Sequence, residues 1–147
     1  MPDAIPLTAA ERRLSLLLRL LALIFVAGAV AFLVRPEEII HGLGVPSAMI
    51  GLPALATTTG AVESDFWFAL AVANMATNAA CCWLAAGDVR LRRALVYPVV
   101  VSMLVATATA ALVFIRWAPA LPFLAIVIVA LPIALVLLRG LGRTRTA

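Results

Sequence analysis

The chain of 147 residues has no lysine, one histidine, one tyrosine and two cysteines, and only 12% of its residues are charged, about half the share usual in globular domains. Each shortage removes a class of function. Charge this scarce cannot clothe a soluble surface, and no Asp, Glu, Lys or His falls in the middle of a long apolar run. Proton-coupled transport, voltage sensing and ion pumping use ionisable groups at membrane depth, so their absence argues against all three. One histidine cannot hold a haem between two imidazoles, and neither a Ser-His-Asp set nor a glycine-rich phosphate loop is present. The two cysteines, Cys81 and Cys82, are neighbours; on a helix their side chains diverge by about 100° and do not bond to each other easily. A dithiol redox centre would want CxxC spacing, and a metal would want more ligands than two thiols. The sequence therefore implies no catalytic residue, no metal site and no bound cofactor.

What the chain does have is apolar length. Hydrophobic residues make up 65% of it and its mean hydropathy is +1.16. Four apolar runs stand out, at about 14–34, 66–86, 94–115 and 119–138, each near the 20 residues that cross a hydrocarbon core of about 30 Å. They leave an outer loop at 35–65, a short basic loop, a tight Trp117-Ala118-Pro119 turn and two tails. A separate extramembrane catalytic or nucleic-acid-binding domain has no room. The expected fold is all-α: a polytopic membrane protein forming one integral-membrane domain over 1–147. It is an antiparallel bundle of four transmembrane helices with a short interfacial helical segment in the outer loop. The stretch Ala27-Gly28-Ala29 resembles a signal-peptide cleavage site, but the run before it exceeds the usual 7–15-residue h-region, so the first segment is expected to be a retained helix.

Charge sets the expected orientation. All eleven basic residues are arginine, which in an alanine- and leucine-heavy chain points to a GC-rich bacterial genome. Arg12, Arg13, Arg19, Arg90, Arg92, Arg93, Arg139, Arg143 and Arg145 fall on one side of the four spans. Arg35 and Arg116 fall on the other, with Glu37, Glu38, Glu63 and Asp65. The positive-inside rule then places both termini in the cytoplasm of a multi-pass inner-membrane protein. Trp67 and Trp117 fall at the outer interface and Trp83 and Tyr97 at the inner one, as an aromatic belt requires. The arginines lie beside apolar runs and not in a patch with interleaved aromatics, so a nucleic-acid partner is not implied despite a pI near 10.5.

In the outer loop, Arg35-Pro36-Glu37-Glu38 is a helix start, with proline at the first position and two acids facing the positive helix end. A short helix through Ile39, Ile40 and His41 is expected to stop at Gly42 or Gly44. A turn at Val45-Pro46-Ser47 and a second short stretch through Met49 and Ile50 follow, ended by Pro53. This apolar segment is too short and broken to span, so it should lie in the interface or over the bundle mouth. Thr57-Thr58-Thr59-Gly60 reads as a flexible return. Glu38 and His41 match half of a carboxylate-histidine metal motif, and half is not enough; Glu37, Glu38 and His41 read as candidate partner contacts.

One face of the second run carries the candidate ligand site. Asn74, Thr77, Asn78 and Cys81 recur at i, i+3, i+4 and i+7, and the third run offers Ser102, Thr107 and Thr109 across from them. In a bilayer such groups seek partners on neighbouring helices. They form either interhelical hydrogen bonds or a polar pocket for a quinone, a lipid headgroup or another small molecule, lined by Asn74, Thr77, Asn78, Ser102 and Thr107. Alanines at 69, 73, 76, 79 and 80, with Ala27, Gly28 and Ala31 on the first run, allow close helix approach.

A basic amino-terminal segment and one span come first, then the outer segment Arg35-Pro36-Glu37-Glu38-Ile39-Ile40-His41-Gly42-Leu43-Gly44, then three closely spaced spans. In this order the chain resembles the DoxX-like small bacterial four-helix membrane proteins. The resemblance implies a four-helix bundle and a respiratory or quinone-related neighbourhood; it carries no family site onto a numbered residue. The leading expectation is a non-catalytic inner-membrane accessory or scaffold subunit, its partners the lipid bilayer and a membrane protein or further copies of itself. The alternative is a quinone- or lipid-binding protein, including as a subunit of a quinone-linked oxidoreductase.

Overall fold

The computed structural model describes residues 7–52, 61–116 and 120–143. The Thr57–Gly60 return, the Trp117-Ala118-Pro119 turn and Arg145 lie outside the described residues, as do the side chains of Glu63, Asp65 and Trp67. Within them the structure is all-helical: α1 (Ala9–Val34), α2 (Pro36–Met49), α3 (Ala61–Gly87), a single 3-10 turn (Arg93–Leu95), α4 (Val96–Arg116) and α5 (Leu121–Arg143). Four of the helices, α1, α3, α4 and α5, are long and apolar enough to cross a membrane. They overlap the four expected runs, each extending past at least one expected end; α4 and α5 begin at Val96 and Leu121, two residues later than expected, and α5 carries on from Leu138 to Arg143.

Local chemistry sets the helix ends. Thr8 caps α1 through a capping box: its hydroxyl accepts from the Glu11 amide at 3.3 Å, and its own amide donates to the Glu11 carboxylate at 2.7 Å. Pro36 opens α2 with Glu37 and Glu38 in the first turn, as expected. The expected break within 42–47 does not occur, however, and α2 is a single 14-residue helix running through Gly42, Gly44 and Pro46. It stops instead at Met49, two residues before Gly51, whose φ of 73° supplies the left-handed residue that a helix terminus most readily takes from glycine. There the Leu52 amide donates to the Ser47 carbonyl at 2.9 Å and the Gly51 amide to the Ala48 carbonyl at 3.2 Å, the paired bonds of a Schellman cap. After α3, the Asp88 carboxylate accepts from the Arg90 and Leu91 amides at 3.1 and 3.0 Å, an Asx-type turn that sends the chain toward α4.

The tightest packing joins α1 to α3 and α4 to α5. Small residues make the first contact close: a Cβ on Gly28 would sit 3.2 Å from the Met75 sulfur. The hydrophobic core gathers at one end of the bundle. Leu14, Leu18 and Leu21 of α1 meet Cys82, Ala85 and Ala86 of α3, Val96, Val99 and Met103 of α4, and Leu137 and Leu141 of α5. Val89, in the loop after α3, is 1% exposed and plugs this end. Toward the other end side chains face outward, with Leu33 of α1 and Ile115 of α4 72% and 78% exposed.

Candidate functional site

The periodic face of α3 meets α4 through three of the five residues expected there. The Asn78 amide nitrogen donates to the Ser102 hydroxyl at 2.9 Å, and the Ser102 hydroxyl lies 3.3 Å from the Asn74 amide oxygen. The two asparagines also face each other at 3.5 Å. Asn78 is buried between the helices, while Asn74 stands at the exposed edge, so the triad runs from the interior out to the bundle surface.

Thr77 and Thr107 do not join it. Each hydroxyl donates to the carbonyl four residues earlier in its own helix, Thr77 to Ala73 and Thr107 to Met103, both at 2.8 Å. Threonine on a helix can always satisfy itself in this way, an option that spacing in the sequence does not show. Thr109 is exposed. Cys82 is fully buried in the core and Cys81 half-buried beside it, so the pair serves as small packing groups. The triad is neutral. It can donate and accept hydrogen bonds but holds no group that could take or give a proton near neutral pH, and at its edge only Asn74 is open to an approaching molecule.

The strongest polar contact is one that sequence spacing missed. Glu11, 3% exposed, receives the Arg90 guanidinium side-on, Nε to one carboxylate oxygen at 2.6 Å and a terminal nitrogen to the other at 2.8 Å. This bidentate geometry is the strong form of a charge-assisted bond, and the hydrogen bond to Glu11 holds the Arg90 pKa above its ordinary value. One turn on, the buried Ser15 hydroxyl donates to the Ala86 carbonyl at 2.7 Å. Together they tie the start of α1 to the end of α3 and the loop beyond it. The Thr8-x-x-Glu11 pattern is a visible capping-box signal; nothing in the sequence pairs Glu11 with Arg90.

At the other end, the fully buried Ser47 of α2 accepts from the Leu121 amide at 2.9 Å. A residue of α2 thus supplies the first-turn cap of α5, satisfying one of the amides that every helix start leaves without a partner. Of the expected partner contacts, Glu37 and His41 are exposed, and Glu38 pairs with Arg35 at 2.9 Å in an exposed ion pair. Among the described residues no three of His, Cys, Asp and Glu gather as a metal would require.

Comparison of the chain with protein-family models, with curated proteins and with solved structures gives no match.

Proposed function

We propose that this protein is a non-catalytic accessory or scaffold subunit of a larger complex in a bacterial inner membrane. It is an antiparallel four-span bundle with both termini cytoplasmic, α2 lies in the outer interface, and the lipid-facing helices and α2 dock a membrane partner or further copies of the chain. The observation that carries the reading is α5: a helix of mean hydropathy 3.0 in which only 11% of the apolar window is buried. A face so apolar and so little used inside the bundle demands a cover of lipid or protein. The exposed Met49 and Ile50 at the end of α2 add apolar surface outside the spans, where a protein partner covers it better than water does. The polar triad supports the same reading, because its bonds are spent between α3 and α4. The DoxX-like resemblance is compatible with it and names no partner.

The second reading, a quinone or neutral small molecule held at the triad, is favoured by one observation, the exposed position of Asn74 at its edge. Native mass spectrometry of the protein released gently from its own membrane separates the two. A stoichiometric complex with other membrane subunits upholds the accessory role. A 15.5 kDa chain or small homo-oligomer carrying one defined small molecule, lost in an Asn74→Ala, Asn78→Ala variant, overturns it in favour of the pocket.

A further inference from the structure

Arg12, Leu16, Arg19, Leu23, Val26 and Val30 follow one another at spacings of four and three and so share one face of α1. Two concavities lie along that face. At the arginine-rich end a notch of about 280 Å³ is formed by Leu7, Arg12, Ser15, Leu16 and Arg19. Beyond it a groove of about 590 Å³ runs between α1 and α3, walled by Leu23, Val26 and Trp83. Its floor is alanine, Ala22 and Ala29 of α1 with Ala76 and Ala79 of α3, and the missing side-chain volume is what leaves the groove open.

We propose that this face binds one anionic glycerophospholipid, its phosphate between Arg12 and Arg19 and an acyl chain in the groove. The charge fits. The Arg12 Nε donates to the Leu7 carbonyl at 3.2 Å, which orients the guanidinium. Arg19 is exposed and has no hydrogen-bond or ion-pair partner among the described residues. Glu11, next to Arg12 in the chain, is spent on Arg90 and Thr8. Among the described residues no carboxylate is paired with Arg12 or Arg19, and two such positive charges favour a phosphodiester, and favour a headgroup without its own ammonium. The length fits as well: from Arg19 to Val30 α1 rises about 16 Å, close to the roughly 15 Å of one hydrocarbon leaflet. A free phosphate would leave the groove unused, and a partner's apolar helix would leave the arginines unanswered. The inference needs the helices to span a bilayer but not the accessory role.

The test uses the full chain with Trp67→Phe and Trp117→Phe, so that Trp83 on the groove wall is the sole tryptophan. It is placed in phosphatidylcholine vesicles containing a fixed minor fraction of brominated phosphatidylglycerol or brominated phosphatidylcholine. Bromine in the groove quenches Trp83. The expected result is a preference of roughly tenfold or more for the anionic lipid, the size expected of two arginines near a membrane surface. Arg12→Gln with Arg19→Gln should abolish that preference while leaving Trp83 emission in plain phosphatidylcholine unchanged, which shows the bundle intact. Arg13→Gln with Arg139→Gln removes the same charge outside the notch and should leave it in place. Ala80, another alanine that lines the groove, offers a way to fill it: Ala80→Leu should reduce quenching by the anionic lipid with all arginines present. Equal quenching by the two lipids, equal loss in the Arg13/Arg139 control, or no effect of Ala80→Leu overturns the proposal. So does displacement by millimolar inorganic phosphate, which would mark a site for the headgroup alone.

Discussion

Glu11 and Arg90 stand 79 positions apart in the chain and meet through two bonds, at 2.6 and 2.8 Å, with the carboxylate enclosed and the arginine side chain 35% exposed. One carboxylate thereby closes the capping box of α1 and anchors the loop that follows α3. Loss of Arg90 would leave the enclosed Glu11 carboxylate without its counterion, and a stranded buried charge costs far more than the pair itself contributes; loss of Glu11 leaves a guanidinium that solvent already reaches. Arg90→Gln is therefore expected to lower the melting temperature in detergent clearly, and Glu11→Gln to lower it by less. The double variant should fall by less than the sum of the two. Arg35→Gln, which breaks the exposed pair with Glu38, is the comparison, worth a few tenths of a kcal/mol at most. Additive losses, or losses no larger than for Arg35→Gln, would show that the clamp contributes nothing.

The triad should behave as a unit. Interhelical hydrogen bonds in membranes average about 0.6 kcal/mol and reach about 1.7, so Asn78→Ala, which removes the donor to Ser102, should cost about 1 kcal/mol. Ser102→Ala added to it should cost little more. Thr107→Ala should leave the α3–α4 contact intact, because its hydroxyl bonds within α4. Unfolding in mixed micelles measures all three, and additivity of Asn78→Ala and Ser102→Ala would refute the coupling.

Ser47→Ala removes the cap that α2 lends to α5. A lost cap costs about 1 kcal/mol, and the damage should be local. Hydrogen exchange at the Leu121 amide should quicken while the α1–α3 contact keeps its protection. An unchanged exchange rate at Leu121 would mean that α2 does not hold the start of α5.

Two glycines test how much the packing can give. A methyl on Gly28 would meet the Met75 sulfur at 3.2 Å, whereas one on Gly140 would meet a methyl of Leu14 at 3.1 Å. Methionine is pliant, but Leu14 is 3% exposed and wedged in the core. Gly28→Ala should gain stability, up to the roughly 1 kcal/mol that separates glycine from alanine in a helix. Gly140→Ala should lose most or all of that gain to repacking. Equal effects of the two on the melting temperature would contradict this difference between their neighbours.

The spans were legible in the chain because the requirement for them is local: an apolar stretch of about 20 residues reads the same whatever surrounds it. The start of α2 was legible for a similar reason, since proline and two acids act within one turn. Its end was not. Gly42, Gly44 and Pro46 all read as punctuation, yet α2 runs on to Met49 and buries Ser47 against the start of α5. The candidate site shows the same division. Periodicity put Asn74 and Asn78 on one face of α3, where the structure joins them to Ser102, but it could not tell a hydroxyl that reaches across from one that bonds back to its own helix, as Thr77 and Thr107 do.

The sequence by itself determined that the chain is helical and rich enough in apolar length to cross a membrane four times, since hydrophobicity, proline and capping residues act over a few turns. Only the tertiary structure decided that Glu11 meets Arg90, that Ser15 reaches Ala86, and that the core gathers at the arginine-rich end. Those contacts depend on how helices distant in sequence are set against one another, which is fixed by packing summed over whole helix faces. No single residue spacing encodes that sum.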